Sequence, residues 1–177
     1  MAGEQKNIEN TITELKDMVN MVKDHIEEIE RELPWAPRNG LRDLAVKYAW
    51  SFLGTPYSWG GDDFSGIDCS GLICEILQGV GLIDRKADFT AQMLWDKYQT
   101  RIVDNPYKGV LVFWHSPSDE NRVIHVELCI NNKISIGASG GGSKTLTRAD
   151  AIKHNGFVKL RAWDTRDCVK GFVDPFL

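Results

Sequence analysis

Residues 57–71 read YSWGGDDFSGIDCSG, a glycine-dense run that ends in a cysteine flanked by an aspartate and a serine. Glycine at this density lets backbone approach backbone or a ligand closely, and the flanking segments fix its setting. Upstream, LRDLAVKYAWSFLG (41–54) places Leu41, Leu44, Ala45, Tyr48, Ala49 and Phe52 on one helical face, with Gly54 where a C-cap is expected. Downstream, SGLICEILQGVGLI (70–83) repeats Leu72, Ile73, Ile76, Leu77 and Val80 at helical spacing, so residues 69–71 fall at the first turn of an apolar helix.

A third helix is expected across FTAQMLWDKYQ (89–99). From Gly109 the texture changes. GVLVFWH, RVIHVELCI, KISIGAS and GFVKLRAW are short β-branched and aromatic runs, divided by SPSDEN, NN and GGGS. Helices first and strands second predict an α+β domain in which N-terminal helices pack on a small antiparallel sheet.

The chain has 177 residues, 42% hydrophobic and 26% charged, with a net charge of −4. It carries no basic field that would attract nucleic acid or anionic lipid. No apolar run approaches the roughly 18 residues of a membrane span. The first ten residues, MAGEQKNIEN, lack the basic and apolar regions of a secretory signal, so synthesis in the cytoplasm without a signal peptide is expected. Cys69, Cys74, Cys129 and Cys168 form no C-x-x-C pair, and the cysteine and histidine spacings ask for no metal or cofactor. Cys74, Cys129 and Cys168 are read as packing residues.

Ahead of the domain, Ile8, Ile12, Leu15, Val19, Val22, Ile26, Ile29 and Leu33 alternate steps of four and three. This is a heptad seam with charged flanks, suited to pairing with another helix of the same kind. The alternative, a stripe folded back on its own domain, fits a period of 3.5 less well. LPWAPRNG then interrupts helical geometry with two prolines. The expected organisation is a long coiled-coil-like helix for oligomerisation or docking over 1–36 and a compact domain over 37–177.

A thiol attacks as thiolate, and a free cysteine near pKa 8.5 needs a positive neighbour or a helix N-terminus to ionise at neutral pH. Cys69 has the second by position. A catalytic base must come from four histidines. His25 lies on the heptad helix, His115 ends a strand and His154 sits in a polar stretch, whereas His125 lies inside an alternating strand that would hold it rigidly.

LGTPYSWGG, SGIDCSGLI, GVLVFW and HVELCINN, in this order across about residues 41–162, resemble the NlpC-type cell-wall endopeptidases, a papain-like family of cysteine peptidases. The resemblance implies a papain-like fold with Cys69 as nucleophile and His125 as general base. It implies further that Tyr57, Asp68 and Ser70 line the substrate cleft. The substrate implied is the peptidoglycan stem peptide, cut at the bond from the γ-carboxyl of D-glutamate to a diamino acid through a thioester.

The chain departs from the family pattern in three places. The family's third strand carries a His, Asn or Gln that orients the base, and here SIGASGG puts Gly137 at that position. Ser135, Ser139 and Glu127 are the candidates to substitute for it. Glu127 replaces the glycine of His-Val-Gly and is either a solvated strand residue or a cleft residue that raises the His125 pKa or binds a cationic or amide group of substrate. Val110 replaces an aspartate and is read as scaffold variation.

The resemblance extends to phage members of the family, which would place the chain at the cell wall as a virion tail component assembled through residues 8–33. Two alternatives stand beside the endopeptidase: a degenerate module that binds wall peptide or a protein partner, favoured by Gly137, and an amidase acting on small γ-glutamyl peptides.

Overall fold

The computed structural model describes residues 15–16, 18–21 and 36–177, with side chains in the last stretch from residue 40 onward. The chain divides into two compact units, Met1–Asn39 and Gly40–Leu177. Residues 15–16 and 18–21 are helical; the rest of the heptad segment lies outside the described residues. No helix among the described residues is long and apolar enough to cross a membrane.

Helix α1 spans Ala36–Ser51. It therefore starts five residues before the sequence-based expectation, running through Pro37. Proline in a first turn forfeits only an amide that would have no helical partner, so the helix absorbs it. Ala45, Val46, Ala49 and Phe52 are buried, while Leu44, expected on the inner face, is exposed. The stripe is rotated so that Arg42, not Leu44, turns inward.

The opening stretch forms a small hairpin, β1 (Asp62–Asp63) paired with β2 (Gly66–Ile67). It leads into α2 (Cys69–Gly79). Leu72, Ile73, Ile76 and Leu77 of α2 are fully buried, each contributing about 2 kcal/mol from removal of apolar surface from water. Asp68 caps the helix, accepting the Gly71 amide at 2.8 Å and the Ser70 hydroxyl at 2.9 Å, while its other carboxylate oxygen takes the Gly60 amide at 2.9 Å. A cap of this kind is worth about 1 kcal/mol, and here it also ties the glycine loop to the helix end. A Cβ on Gly71 would overlap the Gly61 carbonyl; close approach of two backbones is what the glycines serve.

Helix α3 (Ala91–Tyr98), capped by Thr90, follows. The sheet then runs β3 (Ile102–Val103), β4 (Leu111–Ser116), β5 (Asp119–Cys129), β6 (Ile134–Ser139), β7 (Phe157–Ala162) and β8 (Val169–Val173). Its strand order is β3-β8-β4-β5-β6-β7, with every neighbouring pair antiparallel. Helix α4 (Arg148–Lys153), closed by a Thr147–Asp150 capping box, sits between β6 and β7. Sequence patterning finds β4 to β7 but not β3, β8, α4 or the β1–β2 hairpin, each too short or too polar to show a period.

Strand β5 separates two cores. Val126 and Leu128 join the cluster shared with α1, α2 and α3, while Cys129 packs on the opposite face with Val110, Val112 and Trp114. Strand periodicity puts His125 and Glu127 on the Cys129 face. Val110 is fully buried in that second cluster.

Candidate active site

A cleft of about 1020 Å³ opens between the first turn of α2, the tips of β4 and β5, and the loops after β6 and β7. Tyr57, Asp68, Cys69, Ser70, His125 and Ser139 all border it, so the residues singled out from sequence converge on one place. Glu127 and Ser135 do not line it but stand behind His125.

His125 is held by a polar cluster. Its Nε2 lies 2.9 Å from Glu127 Oε1, and Glu127 is fully buried. The Ser135 hydroxyl donates to Glu127 Oε2 at 2.7 Å, and Arg161 reaches the same carboxylate through Nε at 3.2 Å and through Nη2. The solvated alternative for Glu127 is therefore wrong. Strand register explains the burial. Leu128 pairs with Ile136 and Cys129 with Ser135; continued by one residue, the ladder sets Gly137 opposite Glu127. A Cβ on Gly137 would overlap Cγ, Cδ and Oε1 of Glu127. The Glu127 side chain thus fills the space that a larger residue at position 137 would need.

Ser139 lines the cleft without a hydrogen bond to His125, and Ser135 acts on Glu127, not on the imidazole. Sequence reasoning missed Arg161 altogether. Its signal is the pairing of Ser135 with Arg161 across β6 and β7, which single-chain periodicity does not reveal. Cys168, read as a packing residue, instead borders the cleft with a left-handed φ of 66°.

The charges decide the resting state. Burial pushes the Cys69 thiol up to about 12, with Asp68 and Glu127 adding to it and backbone amides of Val126 and Ser70 opposing. The helix-end activation expected from sequence is thus outweighed by desolvation. Burial also lowers the His125 pKa below 6.5, reinforced by Arg166 and Arg161 and opposed by Glu127. The expectation that Glu127 raises it holds for its own contribution only. Glu127 is pushed up by burial, yet the His125 hydrogen bond and charge and the Arg161 guanidinium hold it at about 2. Both shifts favour the neutral forms, a thiol at Cys69 and an uncharged imidazole at His125 with the Glu127 carboxylate behind it.

A pH dependence follows. Glu127 is ionised more readily folded than unfolded, so its stabilisation is complete above pH 4.5 and is lost as pH falls towards 2. His125, neutral by burial, loses stability in the same direction below pH 6.5. Acid titration of unfolding free energy is expected to drop by a few kcal/mol between pH 4.5 and 2. The Glu127→Gln variant, already less stable at neutral pH, should show a flatter drop; an unchanged slope would count against this network.

A helix that opens with a cysteine and packs on a histidine-bearing antiparallel sheet defines the papain-like class of thiol hydrolase folds. Residues 54–161 match the NlpC/P60 family, and the chain belongs to that family, whose members are cysteine peptidases and peptidoglycan hydrolases. Dipeptidyl-peptidase 6 of Lysinibacillus sphaericus is 32% identical over 108 residues, which are 60% of this chain and 35% of that protein. The chain thus spans about a third of the length of that curated relative. Among solved structures, the NlpC/p60 domain of the peptidoglycan hydrolase SagA superposes with a TM-score of 0.54 at 24% identity, over 75% of this chain and 97% of that one. The peptidoglycan hydrolase RipB of Mycobacterium tuberculosis gives 0.60 at 24% identity, over 81% and 68%. These superpositions establish the shared fold.

Proposed function

We propose that residues 37–177 act as a peptidoglycan-directed cysteine endopeptidase that hydrolyses the γ-D-glutamyl bond to the diamino acid of stem peptides. The observation that carries this is the Glu127–His125 pair at the cleft that Cys69 also borders.

Glu127 accepts and Arg161 donates, and both face Nε2 of His125, at 2.9 and 3.0 Å. The carboxylate favours the tautomer with a proton on Nε2, because only that one donates to it. The other tautomer would accept from Arg161 and carry its proton on Nδ1. With Nε2 protonated, Nδ1 has a free lone pair and takes the Cys69 proton as sulfur attacks the carbonyl carbon. The imidazolium so formed is stabilised by Glu127. Gly71 donates its amide to Asp68 and Leu72 its amide to the Asp68 carbonyl, which leaves the Cys69 amide to meet the oxyanion. Collapse of the tetrahedral adduct passes the proton from His125 to the leaving amine and leaves a thioester, which water hydrolyses. Asp68, Ser70 and Tyr57 form the wall on which the peptide is held.

The degenerate-binder reading rested on Gly137, and Glu127 over that glycine favours catalysis instead. The test is incubation of the protein and its Cys69→Ala variant with muropeptides, with products identified by mass spectrometry. New N-termini at the third stem residue, absent with the variant, are expected. Intact protein that turns over no muropeptide would overturn the proposal; turnover of small γ-glutamyl peptides alone would move it to the amidase.

A further inference from the structure

The cleft holds a cation that the mechanism does not use. Arg161 is committed to Glu127. Arg166, on the loop between β7 and β8, is half-buried and lines the cleft together with Cys69 and Tyr57. Its guanidinium carbon lies over the Trp114 ring, 5.5 Å from the centroid, and that of Arg161 lies over the same ring at 5.6 Å. Trp114 in turn sits 5.3 Å from the His125 ring. Among the described residues, no carboxylate lies within ion-pair distance of Arg166. A planar guanidinium in a recess, with no carboxylate paired to it, is suited to receive one through two parallel N–H bonds. Burial and the neighbouring Arg161 charge depress its pKa, with Glu127 opposing.

We propose that Arg166 binds the free α-carboxylate of the D-glutamyl residue whose γ-carbonyl Cys69 attacks, and so selects stem peptides that carry this acid over those in which it is amidated. The inference rests on the endopeptidase reading above. In a γ-glutamyl unit the α-carboxyl carbon is four bonds from the scissile carbonyl carbon, on the order of 5 Å when extended. An acyl group on Cys69 therefore keeps its anion inside the same cleft. An amide in that place leaves the half-buried guanidinium without charge compensation.

The experiment compares kcat/KM for the synthetic tripeptides L-Ala-γ-D-Glu-L-Lys and L-Ala-γ-D-isoGln-L-Lys. The intact protein should prefer the acid by about 10- to 100-fold. In Arg166→Gln the ratio should fall towards one, and Arg166→Lys, which keeps the charge but not the fork, should lie between. A ratio near one in the intact protein overturns the inference. So does an unchanged ratio in Arg166→Gln with both rates lowered, which would assign Arg166 to the thiol or to the fold. Calorimetric binding of the two peptides to the Cys69→Ala protein separates this inference from the activity. Tighter binding of the acid there, lost on adding Arg166→Gln, supports the carboxylate site even without turnover, and equal binding overturns it.

Discussion

Replacing Glu127 with glycine is expected to lower kcat by about 10²- to 10⁴-fold, the range found when a catalytic histidine loses the partner that fixes its tautomer. Three groups lose their acceptor together: His125 Nε2, the Ser135 hydroxyl and Arg161. The guanidinium is then the neighbour left beside Nε2 and turns it into an acceptor, which puts the ring proton on the nitrogen that must receive the thiol's. Gly137→His should fail for the opposite reason, since its Cβ alone overlaps Glu127, with an overpacking cost of about 1–3 kcal/mol. The double variant Glu127→Gly/Gly137→His puts an orienting side chain on β6 where the family pattern has one and clears its space on β5. It should regain at least about 10-fold over either single variant, about 1.4 kcal/mol of transition-state free energy. Recovery will be partial because Arg161 remains unpaired. A double variant no better than the worse single one would show that Glu127 does not stand in for the missing residue.

The second large effect concerns stability. Asp174, fully buried after β8, accepts Arg42 Nη2 at 2.5 Å, the Tyr107 hydroxyl at 2.6 Å and the Phe176 amide at 2.9 Å. Arg42 lies 5.3 Å from the Tyr107 ring and 4.9 Å from that of Phe176. The clasp pins the C-terminal residues to α1. Asp174→Ala removes the only carboxylate that pairs with Arg42 among the described residues and strands a buried guanidinium, one of whose nitrogens, Nη1, already lacks a partner. The expected loss is about 3–5 kcal/mol, a fall in Tm of roughly 10–15 °C for a domain of this size. Replacing both partners, Arg42→Met with Asp174→Leu, should recover most of it, because apolar packing substitutes for a buried ion pair when no charge is left behind. None of these residues borders the cleft, so activity per folded molecule should persist. Thermal unfolding by circular dichroism measures the first effect; a shift of only a degree or two would refute it.

Much of the domain was legible in the sequence because its signals are local. Apolar spacing in 70–83 gives α2, alternation in 122–130 gives β5, and the Asp-Cys-Ser-Gly run places a cysteine at a helix start. What failed is what depends on partners. The inward face of α1 was misassigned at Leu44 and Arg42 because an arginine enters a core only where an acid waits for it, and Asp174 lies 132 residues away. The start of α1 was set too late because proline breaks a helix interior but not a first turn. Strands β3 and β8 are visible only as edge and neighbour of β4, where pairing rather than pattern makes them strands.

At the site the division is sharper. Sequence by itself determined the cysteine at a helix end, the histidine on a strand, and the absence of the expected residue at Gly137, since each is a statement about one position and its near neighbours. Only the tertiary structure decided which side chains stand against His125. The carboxylate of Glu127 lies over Gly137 because the β5–β6 register sets the two opposite each other, and Arg161 and Ser135 reach it from β7 and β6. Whether a buried acid can stay charged depends on which donors surround it, and those donors come from strands that the chain brings together only by folding.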